Sequence, residues 1–136
     1  MKDGYPSRVG RTRKMRVLVS LEREYRVYME AIAAAIREFR PDVEVAVADG
    51  RSLEAEVERF DPQLVIAGPP APKNPVDEQL ARIELSPDTA QPSKFRVGER
   101  RWESTNPTLG EILPVLDETK RLLRTYREQE EFPDAG

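Results

Sequence analysis

Short apolar clusters alternate with amphipathic stretches along the first half of the chain. Residues 15–20 (MRVLVS) form an apolar run that predicts a strand covered on both faces of a sheet. Residues 22–39 carry apolar side chains at helical spacing, which predicts an amphipathic helix that ends before Pro41. The predicted inner stripe consists of Leu21, Tyr25, Tyr28, Met29, Ile32, Ile36 and Phe39.

The same alternation continues as far as Gly68. Residues 43–47 predict a second strand, and Ser52 is the candidate N-cap of a second helix. The inward positions of that helix are Leu53, Val57 and Phe60. Residues 64–67 predict a third strand. A β-α-β-α-β order with short connections predicts a parallel sheet with right-handed crossovers.

Prolines make the next part of the chain less regular. The prolines from Pro69 to Pro75 predict a non-helical loop, which a short helix at 76–81 follows. Residues 82–86 predict a fourth strand. The sequence therefore departs here from the regular alternation of its first half.

A hairpin is predicted for residues 94–103, with Gly98 and Glu99 as its turn. A two-residue turn places Phe95 across from Trp102. One long fifth strand is the alternative.

The last helix is predicted to open at Asn106-Pro107-Thr108. Thr108 and Glu111 match a capping box, and Pro114 predicts a kink or a split first turn. The predicted inner face consists of Leu109, Ile112, Leu113, Leu116, Leu123 and Tyr126.

Composition excludes several kinds of chemistry. The chain of 136 residues, 38% hydrophobic and 35% charged, fits one domain. It holds no cysteine and no histidine, which excludes disulfides, thiolate metal sites and the commonest general base. A metal ion would need carboxylate ligands. We predict no catalytic residue, no metal and no cofactor.

Charge is unevenly distributed along the chain. The first 16 residues hold six basic residues and one acidic residue, whereas the remainder holds 16 basic and 24 acidic residues. An acidic body repels phosphates, so nucleic acid could bind only through the basic tail. We predict a flexible basic tail at 1–14, a domain at 15–128 and a frayed end at 129–136. No run reaches the roughly 18 apolar residues of a membrane helix, so we expect a cytoplasmic protein.

Two stretches resemble the receiver domain of response regulators. They are MRVLVSLEREYRVYMEAIAAAI and VEVAVADGRSLEAEVERFDPQLVIAG, within residues 15–68. The resemblance implies an α/β, three-layer flavodoxin-like fold with a mainly parallel central sheet and an altered second half.

The resemblance also implies that the usual receiver chemistry is lost. Gly68 stands where receivers carry the phosphoacceptor aspartate. The acidic pair that holds Mg²⁺ corresponds to Ser20-Leu21 or, one position later, Leu21-Glu22. Ser86 matches the switch serine or threonine of the family, whereas the family's lysine has no match in this register. The chain therefore resembles a degenerate pseudo-receiver.

We accordingly expect a phosphorylation-independent signalling module that contacts a protein partner or forms a homodimer. The interface candidates are Phe95, Arg96, Arg100, Arg101 and Trp102, because arginine and tryptophan anchor interfaces. The alternative for these residues is a hairpin whose aromatic rings pack on the sheet and whose arginines are solvated.

The alternative function is a small-ligand or anion-binding protein, or an enzyme, that uses the carboxyl ends of the strands. Its candidate residues are Ser20, Glu22, Asp49, Gly68 and Ser86. For Glu22 and Asp49, helix capping is the competing interpretation.

Overall fold

The computed structural model describes residues 14–68 and 80–131, with side chains up to residue 126. Most of the predicted basic tail, the proline loop, most of the helix predicted at 76–81, and residues 132–136 lie outside this part. The frayed end therefore stays a prediction, although helical backbone continues to Glu131.

Nine helices and strands follow one another in the described residues. They are β1 (Arg16–Leu21), α1 (Arg26–Phe39), β2 (Glu44–Asp49), α2 (Leu53–Phe60), β3 (Leu64–Ala67), β4 (Ala81–Glu84), β5 (Pro92–Val97), β6 (Arg100–Thr105) and α3 (Leu109–Glu131). Short 3₁₀ turns at Arg23–Tyr25 and Gly50–Ser52 precede α1 and α2.

One sheet contains all six strands in the order β2-β1-β3-β4-β5-β6. The first four of these are parallel, whereas β5 is antiparallel to β4 and β6 is antiparallel to β5. The α/β class and a mostly parallel sheet are confirmed. The hairpin is confirmed as well, with Phe95 opposite Trp102, and this excludes one long fifth strand.

Successive strand residues point to opposite faces of the sheet and fill two hydrophobic clusters. The larger cluster joins strand residues such as Val19 and Ile66 to Ile36 of α1 and Leu116 of α3. The smaller cluster is built from Leu18, Ala48, Leu53, Val57, Val65 and Ala67 and is closed by α2. Both faces of β1 and β3 are therefore covered, which explains their continuous apolar sequences.

The inner stripe of the first helix is narrower than predicted. Met29, Ile32 and Ile36 are buried, but Tyr28 is 42% exposed and Phe39 is 51% exposed. At 3.6 residues per turn, Tyr28 lies roughly 70° and Phe39 roughly 50° around the helix axis from the middle of the stripe. The prediction that they belong to the core is wrong, because helical spacing alone does not say how wide the covered surface is.

The start of the second helix also differs from the prediction. Ser52 makes no capping hydrogen bond through its side chain. The Oδ1 atom of Asp49 instead accepts a bond of 3.0 Å from the backbone N–H of Arg51. Because the 3₁₀ turn precedes the helix, the first unpaired N–H groups lie closer to the N-terminus than the start of α2. Asp49, three positions before Ser52, therefore caps them.

Two elements of the second half, β4 and α3, bear on three further predictions. Strand β4 begins at Ala81, in register with Leu64, so Ala81 belongs to a strand and not to the predicted helix.

In α3, the carboxylate of Glu111 accepts a bond of 3.1 Å from the N–H of Thr108, which confirms that half of the capping box. The helix continues through Pro114 without the predicted split. Pro114 has no backbone N–H to bond the carbonyl four residues earlier in the helix. Because Pro114 is exposed, water can reach that carbonyl instead.

Candidate functional site

The carboxyl ends of β1, β2 and β3 surround a cavity of about 410 Å³. Four of the five ligand-binding candidates from the sequence line it, namely Ser20, Glu22, Asp49 and Gly68. The parallel strands bring these residues together because all three end at the same edge of the sheet.

Ser20 occupies an unusual position in this cavity. It is 2% exposed and lies between Ala48 of β2 and Ala67 of β3 in the sheet register. Its Oγ atom has no hydrogen-bond partner among the described residues. A buried hydroxyl without a partner costs about 1–3 kcal/mol, so this atom favours a polar group that enters the cavity.

The charges around the cavity are mixed. Its described lining includes the acidic residues Glu22, Glu24 and Asp49 and the basic residues Arg23 and Arg51. The carboxylate of Asp49 lies 3.8 Å from the Nε atom of Arg23 and 4.0 Å from that of Arg51. Since Asp49 also caps the 3₁₀ turn, helix capping is an observed role of this residue.

The described residues do not assemble a metal centre. Among residues 14–68 and 80–131, no group of three or more acidic side chains could hold a metal ion. Gly68 adds no ligand at the end of β3, and a Cβ atom built there would lie 3.3 Å from Leu21 Cδ2. The arrangement thus offers a small polar cavity whose described carboxylates are not grouped in the way that Mg²⁺ requires.

Ser86, the fifth ligand candidate, makes its hydrogen bonds within the turn that follows β4. Its hydroxyl donates to the carbonyl oxygen of Asp88 at 3.1 Å, and its backbone N–H donates to Ser93 Oγ at 2.9 Å. These bonds build the turn between β4 and β5. Ser86 is not among the described residues that line the cavity.

The five interface candidates divide between the two faces of the hairpin. Phe95 is 2% exposed and stacks on Trp102, with ring centroids 5.2 Å apart and an angle of 12° between the planes. Arg100 lies over the indole ring at 4.1 Å and pairs with Glu118 of α3. On this side the aromatic rings pack against the core.

Arg96 and Arg101 lie on the opposite side of the sheet, because strand residues alternate between faces. There they join a surface that we call the charged face, which consists of Arg82, Glu84, Lys94, Arg96, Arg101 and Glu103. A depression of about 350 Å³ opens on it, and its described lining comes only from β4, β5 and β6.

The charged face is ordered by the strand register. Arg96 pairs with both Arg82 and Arg101, which aligns three arginines across three strands. The neighbouring row is Glu84, Lys94 and Glu103. Sequence reasoning missed the acidic residues of this face, although the alternation of Ala81, Arg82, Ile83 and Glu84 carries the signal.

Comparisons of the chain with protein-family models, with curated proteins and with solved structures give no match. In the described ranges, no helix combines the length and the apolar character that crossing a membrane requires. The cavity and the charged face are therefore the two features of the described residues that bear on function.

Proposed function

We propose that this protein is a phosphorylation-independent signalling or regulatory module that acts through protein–protein contact. The observation that carries the proposal is the charged face, which six side chains of β4, β5 and β6 form in two ordered rows. A helix of a parallel α/β sheet would normally cover such a surface. The described part of α2 packs instead on the smaller cluster around Leu18 and Val65.

A receiver-like scaffold is the second part of the proposal. The parallel order β2-β1-β3-β4 agrees with the beginning of the flavodoxin-like order. The antiparallel β5 and β6 then stand where that fold continues with a parallel strand and a helix. Gly68 at the end of β3 supports a function that needs no aspartyl phosphate.

Acetyl phosphate and Mg²⁺ test phosphorylation independence. After incubation, intact-mass spectrometry should show the unmodified chain. An increase by the mass of one phosphoryl group that hydroxylamine removes would contradict the proposal, because hydroxylamine cleaves acyl phosphates.

Affinity purification from the source cells tests the contact surface. The wild-type chain should enrich the same protein in repeated experiments, and Lys94→Glu on the charged face should lose it. Arg51→Glu is the matched control, because Arg51 is likewise exposed to solvent but lines the cavity. Equal enrichment by both variants would reject the charged face as the contact surface.

A second candidate function is the binding of a small polar ligand in the cavity, and the buried Oγ atom of Ser20 favours it. A ligand that binds only the folded chain raises its melting temperature. In a thermal-shift screen of small polar metabolites, a true ligand should stabilise the wild type and lose this effect in Ser20→Val. If no compound stabilises the wild type in a Ser20-dependent way, this candidate fails.

A further inference from the structure

Strand β6 is the last strand of the described sheet, and its outer side presents backbone groups to solvent. The N–H of Gly98 donates to the carbonyl of Leu80 at 2.8 Å, so the even-numbered residues of β5 direct their N–H groups toward β4. The odd-numbered residues, including Phe95, therefore bond to β6. It follows that the backbone N–H and C=O groups of Trp102 bond to β5. The backbone groups of Arg101, Glu103 and Thr105 instead point away from β5.

The side chains on this edge carry opposite charges two residues apart. Arg101 and Glu103 are both exposed and lie on the charged face. Neither makes a hydrogen bond or ion pair with another residue of the described ranges. Charges on an edge strand oppose uncontrolled strand pairing, but they also select any pairing in which they complement each other.

We propose that β6 pairs with β6 of a second copy of this chain, in an antiparallel register centred on Trp102. This inference rests on the proposed function, since it names the partner of the same surface. A two-fold axis perpendicular to the sheet keeps opposed residues on the same face. With Trp102 opposite the partner's Trp102, Arg101 lies opposite the partner's Glu103 and Glu103 lies opposite the partner's Arg101.

Charge excludes the neighbouring registers. A pairing centred on Arg101 would oppose two arginines, and one centred on Glu103 would oppose two glutamates. Like charges directly across a strand pair are destabilising. The register centred on Trp102 also brings together the residues whose backbone groups point outward, so the hydrogen-bond ladder continues between the copies.

The pairing also extends both rows of the charged face. The row Arg82, Arg96 and Arg101 would continue into the partner's Glu103, Lys94 and Glu84. The partner's Glu103 would then lie next to Arg101, the outermost residue of the arginine row, and add an attractive pair there. A second copy thus complements this face at its outer strand, β6.

Sedimentation velocity and light scattering over a range of concentrations test the proposal. An edge-strand contact is small, so we expect a reversible dimer, with a mass that rises from 15.5 kDa toward twice that value. Arg101→Glu and Glu103→Arg should each weaken self-association by about tenfold or more, because each replaces two attractive pairs by two repulsive ones. The exposed Arg124 of α3 provides the control Arg124→Glu, which should dimerise like the wild type.

Two rescue experiments keep the test independent of folding. The double variant Arg101→Glu/Glu103→Arg should dimerise again, because its charges are complementary in the same register. An equimolar mixture of the two single variants should form a heterodimer, since the glutamate introduced at position 101 of one variant would face the arginine introduced at position 103 of the other. A wild type that stays monomeric, single variants that dimerise as tightly as the wild type, or a mixture that stays monomeric would each overturn the proposal.

The outcomes also separate this inference from the proposed function. A monomeric wild type that still captures another protein through Lys94 overturns the homodimer alone. An aspartyl phosphate on the chain overturns phosphorylation independence and leaves the dimer measurement unaffected.

Discussion

The ring of Phe95 lies 5.2 Å from the ring of Trp102 and is almost parallel to it. This stacking joins β5 and β6 on the core side of the sheet. We expect Trp102→Ala to lower the free energy of unfolding by about 2–3 kcal/mol, since it removes a stacked and half-buried ring. Trp102→Phe keeps a stacking ring and should lose about 1 kcal/mol. Urea unfolding followed by circular dichroism measures both, and equal losses would show that the stack contributes little.

Arg40 and Asp117 join the end of α1 to α3 through two hydrogen bonds of 2.8 Å. The bonds from the Arg40 guanidinium hold the pKa of Asp117 below its usual 3.8. A lowered pKa in the folded state means that this stabilisation is complete above pH 3.8 and is lost as pH falls below it.

Asp117→Asn should therefore lower the melting temperature at pH 7, and the difference from the wild type should shrink below about pH 4. Differential scanning calorimetry between about pH 7 and pH 3 measures this, with the exposed Glu58→Gln on α2 as the control. A difference that stays constant across this range would contradict the pairing.

Two buried serines of the sheet, Ser20 and Ser93, differ in whether the hydroxyl has a hydrogen-bond partner among the described residues. Ser20 is 2% exposed and its hydroxyl has no hydrogen-bond partner in the described ranges, whereas Ser93 is 0% exposed and its hydroxyl accepts a bond of 2.9 Å from the N–H of Ser86. Ser20→Ala should raise the free energy of unfolding by about 1 kcal/mol, and Ser93→Ala should lower it by a similar amount. Urea denaturation gives both values. Equal losses in the two variants would mean that Ser20 has a partner in solution.

The turn of the hairpin depends on Gly98, whose φ angle is +60°. An alanine in this left-handed region is strained, so Gly98→Ala should destabilise the protein by about 1–2 kcal/mol. Glu99→Ala in the same turn should lose less, because Glu99 does not adopt a positive φ angle. Thermal unfolding of both variants provides the comparison, and equal losses in the two variants would contradict the strained turn.

Much of the fold could be predicted because its signals are local. Residues 64–67 form a strand in both the sequence pattern and the structure, since a short apolar run after Asp61-Pro62 has few alternatives. The two-residue turn at Gly98 and Glu99 determines the pairing of Phe95 with Trp102. The gathering of Ser20, Glu22, Asp49 and Gly68 at one edge follows from parallel strands that end together.

Other features depend on contacts between distant parts of the chain. Helical spacing does not reveal that Tyr28 and Phe39 stay exposed, because the neighbouring elements decide how much of α1 is covered. That Ser20 lies between two alanines, and has no hydrogen-bond partner within the described ranges, follows only from the positions of β2 and β3 beside it.

By itself, the sequence determined the strand and helix order of the first half and, for a hairpin with a two-residue turn, the pairing of Phe95 with Trp102. Only the tertiary structure decided that β5 joins β4 in antiparallel orientation and thereby aligns Arg82, Arg96 and Arg101 across three strands. The physical reason is that turns and periodicity act between neighbours in the chain, whereas strand pairing is selected by the packing of the whole sheet.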